Sequence, residues 1–110
     1  MDGQTRLSLL KAIARSLVVD ATRNPGEWHR PTGNGQGWPF DGLDQVIFED
    51  GVYTVGFNGD YDDYCDTASA TEALVWSWVQ TFDSHVASGD VTQAEVDEFI
   101  RRKEYWAGMP

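Results

Sequence analysis

The tract Asn58-Gly-Asp-Tyr-Asp-Asp-Tyr-Cys-Asp66 crowds four carboxylates, two phenols and a thiol into one short stretch. Groups of these types can attract arginine and lysine, hold a hard cation, or simply form a solvated acidic turn. Oxygen donors at alternating positions, Asn58, Asp60 and Asp62, open with the spacing of a calcium loop. The spacing then fails: Asp63 stands where the turn glycine belongs, and Ser69 where a bidentate glutamate is required. Tyr61 and Tyr64 favour the first option, because aromatic rings among charged groups suit a protein-docking surface, and carboxylates accept charge-assisted hydrogen bonds from guanidinium. Asp66 has a separate explanation in the dipole of the helix that follows, worth about 0.3–1 kcal/mol. Asp60, Asp62 and Asp63 have none.

The remaining reactive groups carry no chemistry of their own. Cys65 lies among aspartates, which raise a thiol pKa and make it a poor nucleophile. His29 and His85 lack metal-ligand spacing, and His85 reads as a histidine at the edge of the core. Gly33-Asn-Gly-Gln-Gly37 follows no strand, opens no helix and has no lysine beside it, so it is not a phosphate loop. Carboxylates are too abundant for any one pair to suggest hydrolysis. The expectation is a binding protein and not an enzyme, with no catalytic residue, cofactor or metal.

Charge supplies the wider context. Fourteen of the eighteen acidic residues lie between Arg30 and Arg101, a stretch with no lysine or arginine; the formal net charge is -10. A folded surface usually mixes both signs, since self-repulsion works against compactness. This balance argues against nucleic acid and anionic membranes as direct partners, and for a basic protein. Apolar content of 41% supports a folded chain, and 110 residues suggest a single domain. One cysteine and the lack of a secretory or membrane segment suggest a complete cytoplasmic protein.

The elements that must position these groups can be read from periodicity. Leu7, Leu10, Ile13, Ala14, Leu17 and Val18 predict a helix from about Thr5 to Ala21, stopped by Asn24-Pro25-Gly26. Residues 24–43, rich in glycine and proline, predict a long loop partly pinned to the core by Trp28, Trp38 and Phe40. Asp50-Gly51 between two β-rich runs predicts a hairpin pairing Glu49 with Val52, Phe48 with Tyr53 and Val46 with Val55. Val46, Phe48, Tyr53, Val55 and Phe57 then share the core face. The acidic tract is expected as a loop. Ser69-Ala-Thr-Glu72 and Thr92-Gln-Ala-Glu95 read as capping boxes opening two helices. The first buries Leu74, Val75, Trp78, Val79, Phe82 and Val86 and ends at Ser88-Gly89; the second buries Val96, Phe99, Ile100 and Trp106. The fold class is a small α+β domain with its two C-terminal helices packed on the hairpin. Trp76 and Tyr105 fall off the apolar arcs of their helices.

A basic protein surface should therefore dock on Glu49, Asp50, Asp60, Asp62 and Asp63, with Tyr61, Tyr64 or Trp76 as the apolar anchor. Duplex DNA presents a charge about every 1.7 Å of axis, and carboxylates without intervening lysines can present a comparable field. In charge and size the chain resembles the DNA-mimic inhibitors of phages and plasmids, anti-restriction and anti-CRISPR proteins among them, and the immunity proteins of nuclease toxins. That resemblance implies an inhibitor of a nuclease or other nucleic-acid-binding protein; no motif is shared. The alternatives are a generally acidic, salt-adapted protein of unrelated role, and a calcium-binding module through Asn58, Asp60 and Asp62.

Overall fold

The computed structural model describes residues 1–31, 43–57 and 60–107, with backbone alone at Phe57 and at 103–107. Helix α1 spans Gly3–Arg23, two residues longer at each end than the expected Thr5 to Ala21. Asp2 accounts for the earlier start: its side chain accepts the Thr5 N–H at 2.7 Å and satisfies an orphan donor of the first turn. Leu10, Ile13, Ala14, Val18 and Ala21 are buried, while Leu7 stays exposed.

Strands β1 (Gln45–Glu49) and β2 (Val52–Phe57) form the hairpin in the expected register. Asp50 and Gly51 both take positive φ, 52° and 78°, as a type I′ turn demands. Val46, Tyr53 and Val55 are buried, Phe48 packs partly against the core, and the Phe48 and Tyr53 rings lie 4.4 Å apart. The Phe57 side chain lies outside the described residues.

The acidic tract is a strand and not a loop. Asp60–Tyr64 forms β3, antiparallel to β2, in a sheet of order β1-β2-β3. Aspartate disfavours strands, but that preference is weak at a sheet edge, where side chains stay in water. The pairing is secured locally. Tyr61 lies opposite Gly56, and a β-carbon on Gly56 would collide with its ring, so the ring is seated on the glycine. Thr54 Oγ1 donates to Asp63 Oδ1 at 2.8 Å across the same pair of strands.

The expected long loop begins as an ordered rim on the other side of the sheet. Gly26 N–H donates to the Phe48 carbonyl, and His29 exchanges two backbone hydrogen bonds with Val46. Trp28 reaches the Tyr61 ring at 5.8 Å on the outer face of the sheet. Trp38 and Phe40 lie outside the described residues.

Helix α2 spans Thr67–Ser88. Its cap is Asp66, which accepts the Ser69 N–H at 2.7 Å and the Ser69 hydroxyl at 3.1 Å, so the helix starts before the capping box expected at Ser69. A carboxylate already in place three residues upstream captures the donor that such a box would need. Gly89 ends the helix in the left-handed conformation. Helix α3 (Gln93–Ala107) opens on the expected reciprocal cap, Thr92 N–H to Glu95 and Glu95 N–H to Thr92 Oγ1. Val96, Phe99 and Ile100 are buried; Tyr105 and Trp106 have no described side chain.

The helices divide the work. α2 lies across β2 and β3, and α1 packs on β1, α2 and α3. Thr22 Oγ1 meets the Tyr53 hydroxyl at 2.7 Å, tying the end of α1 to the sheet. At the other end of α1, Arg6 Nε donates to Asp97 of α3 at 2.9 Å. That guanidinium holds the Asp97 carboxyl below the usual carboxylate range. The result is an α+β fold in which the acidic tract supplies the exposed edge strand β3 and the cap of α2.

Candidate functional site

In an antiparallel sheet, residues directly opposite each other share a face. Tyr53↔Tyr64, Val55↔Asp62 and Phe57↔Asp60 therefore put Tyr64, Asp62 and Asp60 on the helix side, with Tyr61 and Asp63 on the outer face. Across from the helix-side row, Ser69, Glu72, Ala73 and Trp76 follow the spacing of one helical stripe of α2. Between strand and stripe lies an open groove of about 730 Å³, whose walls include Asp60, Asp62, Tyr64, Glu72 and Trp76. Trp76 is 68% exposed, so a large apolar ring stands in water above carboxylates.

Asp44 lies at the groove beside Ser77 and is only 7% exposed. Burial pushes its carboxyl above the ordinary range; a hydrogen bond from Ser77 pulls it down, and the Asp62 charge pushes it up again. No cation pairs with it among the described residues. A buried charge without a counter-ion opposes folding. The sign follows: Asp44 destabilises the fold above its unfolded pKa, and the penalty disappears as pH falls below that value. Asp44→Asn should therefore raise the thermal midpoint at pH 7. The gap from wild type should close below about pH 4, where both states carry a neutral group. Equal midpoints at pH 7 would show that Asp44 is not strained.

The expected docking residues separate into three places. Asp60, Asp62, Tyr64 and Trp76 come together in the groove. Tyr61 and Asp63 face the other way, with Tyr61 meeting the Trp28 ring at a tilt of 45° and Asp63 engaged by Thr54. Glu49 and Asp50 sit at the β1–β2 turn, and Glu49 pairs with Val52 while Asp60 pairs with Phe57. Five residues of strand put these two ends roughly 17 Å apart, beyond the screening length of about 8 Å at physiological salt. They do not act as one local patch with Asp60.

The expected docking set left out Asp44, Glu72 and Ser77, although Glu72 falls beside Trp76 on the helix wheel. The stripe through positions 69, 72, 73 and 76 was the available signal for Glu72, since it puts the off-arc tryptophan and a carboxylate on one helix face. Burial of Asp44 depends on how α2 crosses the sheet, which no local pattern records.

Two of the three positions with calcium spacing, Asp60 and Asp62, lie on β3. A paired strand is extended, so alternate carboxylates such as Asp60 and Asp62 stand about 7 Å apart along it instead of curling round one ion. Asn58 lies outside the described residues, and among those described no three His, Cys, Asp or Glu groups are placed to hold a metal. Cys65 is exposed beside the cap of α2. His85 is half-buried and meets Asp90 at 3.0 Å at the end of that helix. No helix among the described residues is long and apolar enough to cross a membrane. Comparison with protein-family models, curated proteins and solved structures gives no match.

Proposed function

We propose that this protein is an acidic inhibitor of the DNA-mimic kind, which uses the groove between β3 and α2 to occupy the basic nucleic-acid-binding surface of another protein. The observation that carries the reading is the sorting of charge in space. The three strands, the β1–β2 turn and α2 bear Glu49, Asp50, Asp60, Asp62, Asp63, Glu72 and Asp83 and no lysine or arginine, although Arg30 donates to Gln45 of β1 at 2.8 Å. α1 carries four basic residues against Asp20, whereas the three basic residues of α3 are mixed with Glu95, Asp97, Glu98 and Glu104. Lys11 and Arg15 line a second groove on the α1 side of α2, which shares Glu72 with the first. A salt-adapted surface would be acidic all round; sorting by side favours a directed field.

The chemistry of the groove agrees with that role. Carboxylates of Asp60, Asp62 and Glu72 can accept charge-assisted hydrogen bonds from arginine and lysine, and the Trp76 face can receive a guanidinium. Charge steers the encounter, and the aromatic side chains then slow dissociation.

The test is competition. The protein is titrated into DNA complexes of a panel of restriction enzymes, CRISPR effectors and nuclease toxins. It should release labelled duplex from at least one, at stoichiometric concentration, with an association rate that falls steeply as salt rises. Association that ignores salt, or a captured partner that keeps its DNA when saturated, would remove the proposal.

A further inference from the structure

The backbone of β3 offers a second recognition element beside the groove. Val46 and Phe48 turn their main-chain groups to His29 and Gly26. Because successive residues of an antiparallel strand alternate in hydrogen-bonding direction, Gln45, Ile47 and Glu49 must then serve β2. By the same alternation Tyr53, Val55 and Phe57 of β2 serve β3, and their partners there are Tyr64, Asp62 and Asp60. Tyr61 and Asp63 are left to direct their N–H and C=O groups away from the sheet. Among the described residues nothing pairs with them. The opposite edge, at β1, is covered by residues 26–29.

We infer that this edge receives an extended, lysine- or arginine-rich segment of the partner as an added strand, with alternate cationic side chains entering the groove between β3 and α2. The inference rests on the docking function proposed above and names the form of the partner's binding element. Three features commit the edge to that occupant. An unpaired edge is a template for any strand, but a second copy of this one would set aspartate against aspartate. Like charges opposed across strands are unfavourable, so the acidic edge excludes itself and admits opposite charge. Strand periodicity then sends every second side chain of the incoming segment toward Asp60, Asp62 and the exposed Trp76 ring. Finally, Asp44, 7% exposed and without a described counter-ion, lies in the same groove. A cation entering there would meet a carboxylate already desolvated.

Two decapeptides of alternating lysine and threonine provide the test, one with an ordinary backbone and one N-methylated at every residue, which blocks both edges of the strand; their side-chain charge is identical. The ordinary peptide should bind at least tenfold more tightly at low salt. It should also slow amide hydrogen exchange at Tyr61 and Asp63 at least tenfold. Asp63→Pro, which removes one outward N–H, should weaken binding of that peptide about tenfold. Asp63→Asn, which removes the same charge but keeps the N–H, should bind nearly as wild type does. If the proline variant does not fold, the peptide pair on the wild-type protein decides alone. Equal binding of the two peptides with unchanged exchange at Tyr61 and Asp63 would overturn strand addition and leave acidic docking standing. Failure of both to bind at low salt would overturn both readings.

Discussion

Phe82→Ala should lower the stability of this domain by about 3–5 kcal/mol, the usual cost of an aromatic deletion in a core with its cavity included. Phe82 is 4% exposed and meets Phe99 of α3 edge-on at 6.0 Å. It also lies on the cleft where α1 and α2 approach the start of α3. Domains have about 5–15 kcal/mol to lose, so the variant should be close to unfolding at physiological temperature. At about 4–8 °C per kcal/mol for a domain of this size, the midpoint should fall by tens of degrees. Trp76→Ala, about 1.7 turns away on the same helix, is the control. It removes a larger ring from an exposed position and should stay within about 0.5 kcal/mol of wild type. Thermal melts of the two variants side by side check the assignment. Similar midpoints would mean that α2 presents a different face to the core.

Half of that contrast was legible in the sequence: a tryptophan off the apolar arc is more often covered by another element than left in water. The helical arc through Leu74, Val75, Trp78 and Phe82 is strict enough to leave Trp76 outside it, and the structure exposes it. The Asp50-Gly51 turn was legible for a similar reason: positive φ at two successive residues leaves few sequences able to make it, and the turn then fixes the register of both strands. β3 was not legible from composition. Its five residues include three aspartates, and what holds them is the ring of Tyr61 on Gly56 and the Thr54–Asp63 hydrogen bond, both non-local. One local sign was present, since Asn58-Gly59 is the dipeptide most favoured between hairpin strands. The density of acidic residues outweighed it. The start of α2 misled for a different reason. Asp66 and Ser69 are both good caps, and local pattern cannot rank them when one bonds to the other.

The conversion of loop to strand changes what the acidic residues can do. A loop would hold Asp60, Asp62 and Asp63 as one flexible cluster; a strand sends the first two into the groove and the third to the far face. Their contributions to binding should therefore differ. Reversing Asp60 and Asp62 together to lysine should weaken the complex with a basic partner at least hundredfold, about 2.7 kcal/mol. Close charge pairs across interfaces couple by about 1.5–7 kcal/mol, and reversal adds repulsion to the loss of attraction. Asp63→Lys should weaken it far less, because its charge points to the outer face. Both variants should fold, since exposed charges contribute little to stability; their melting curves are the control. The loss should appear mainly in the association rate at low salt and shrink as salt screens the field. Trp76→Ala should instead raise the dissociation rate at every salt concentration, because its ring acts after the encounter. Equal effects of reversal at Asp62 and Asp63 would show that the partner senses only total charge. The groove would then be no more than one part of an acidic surface.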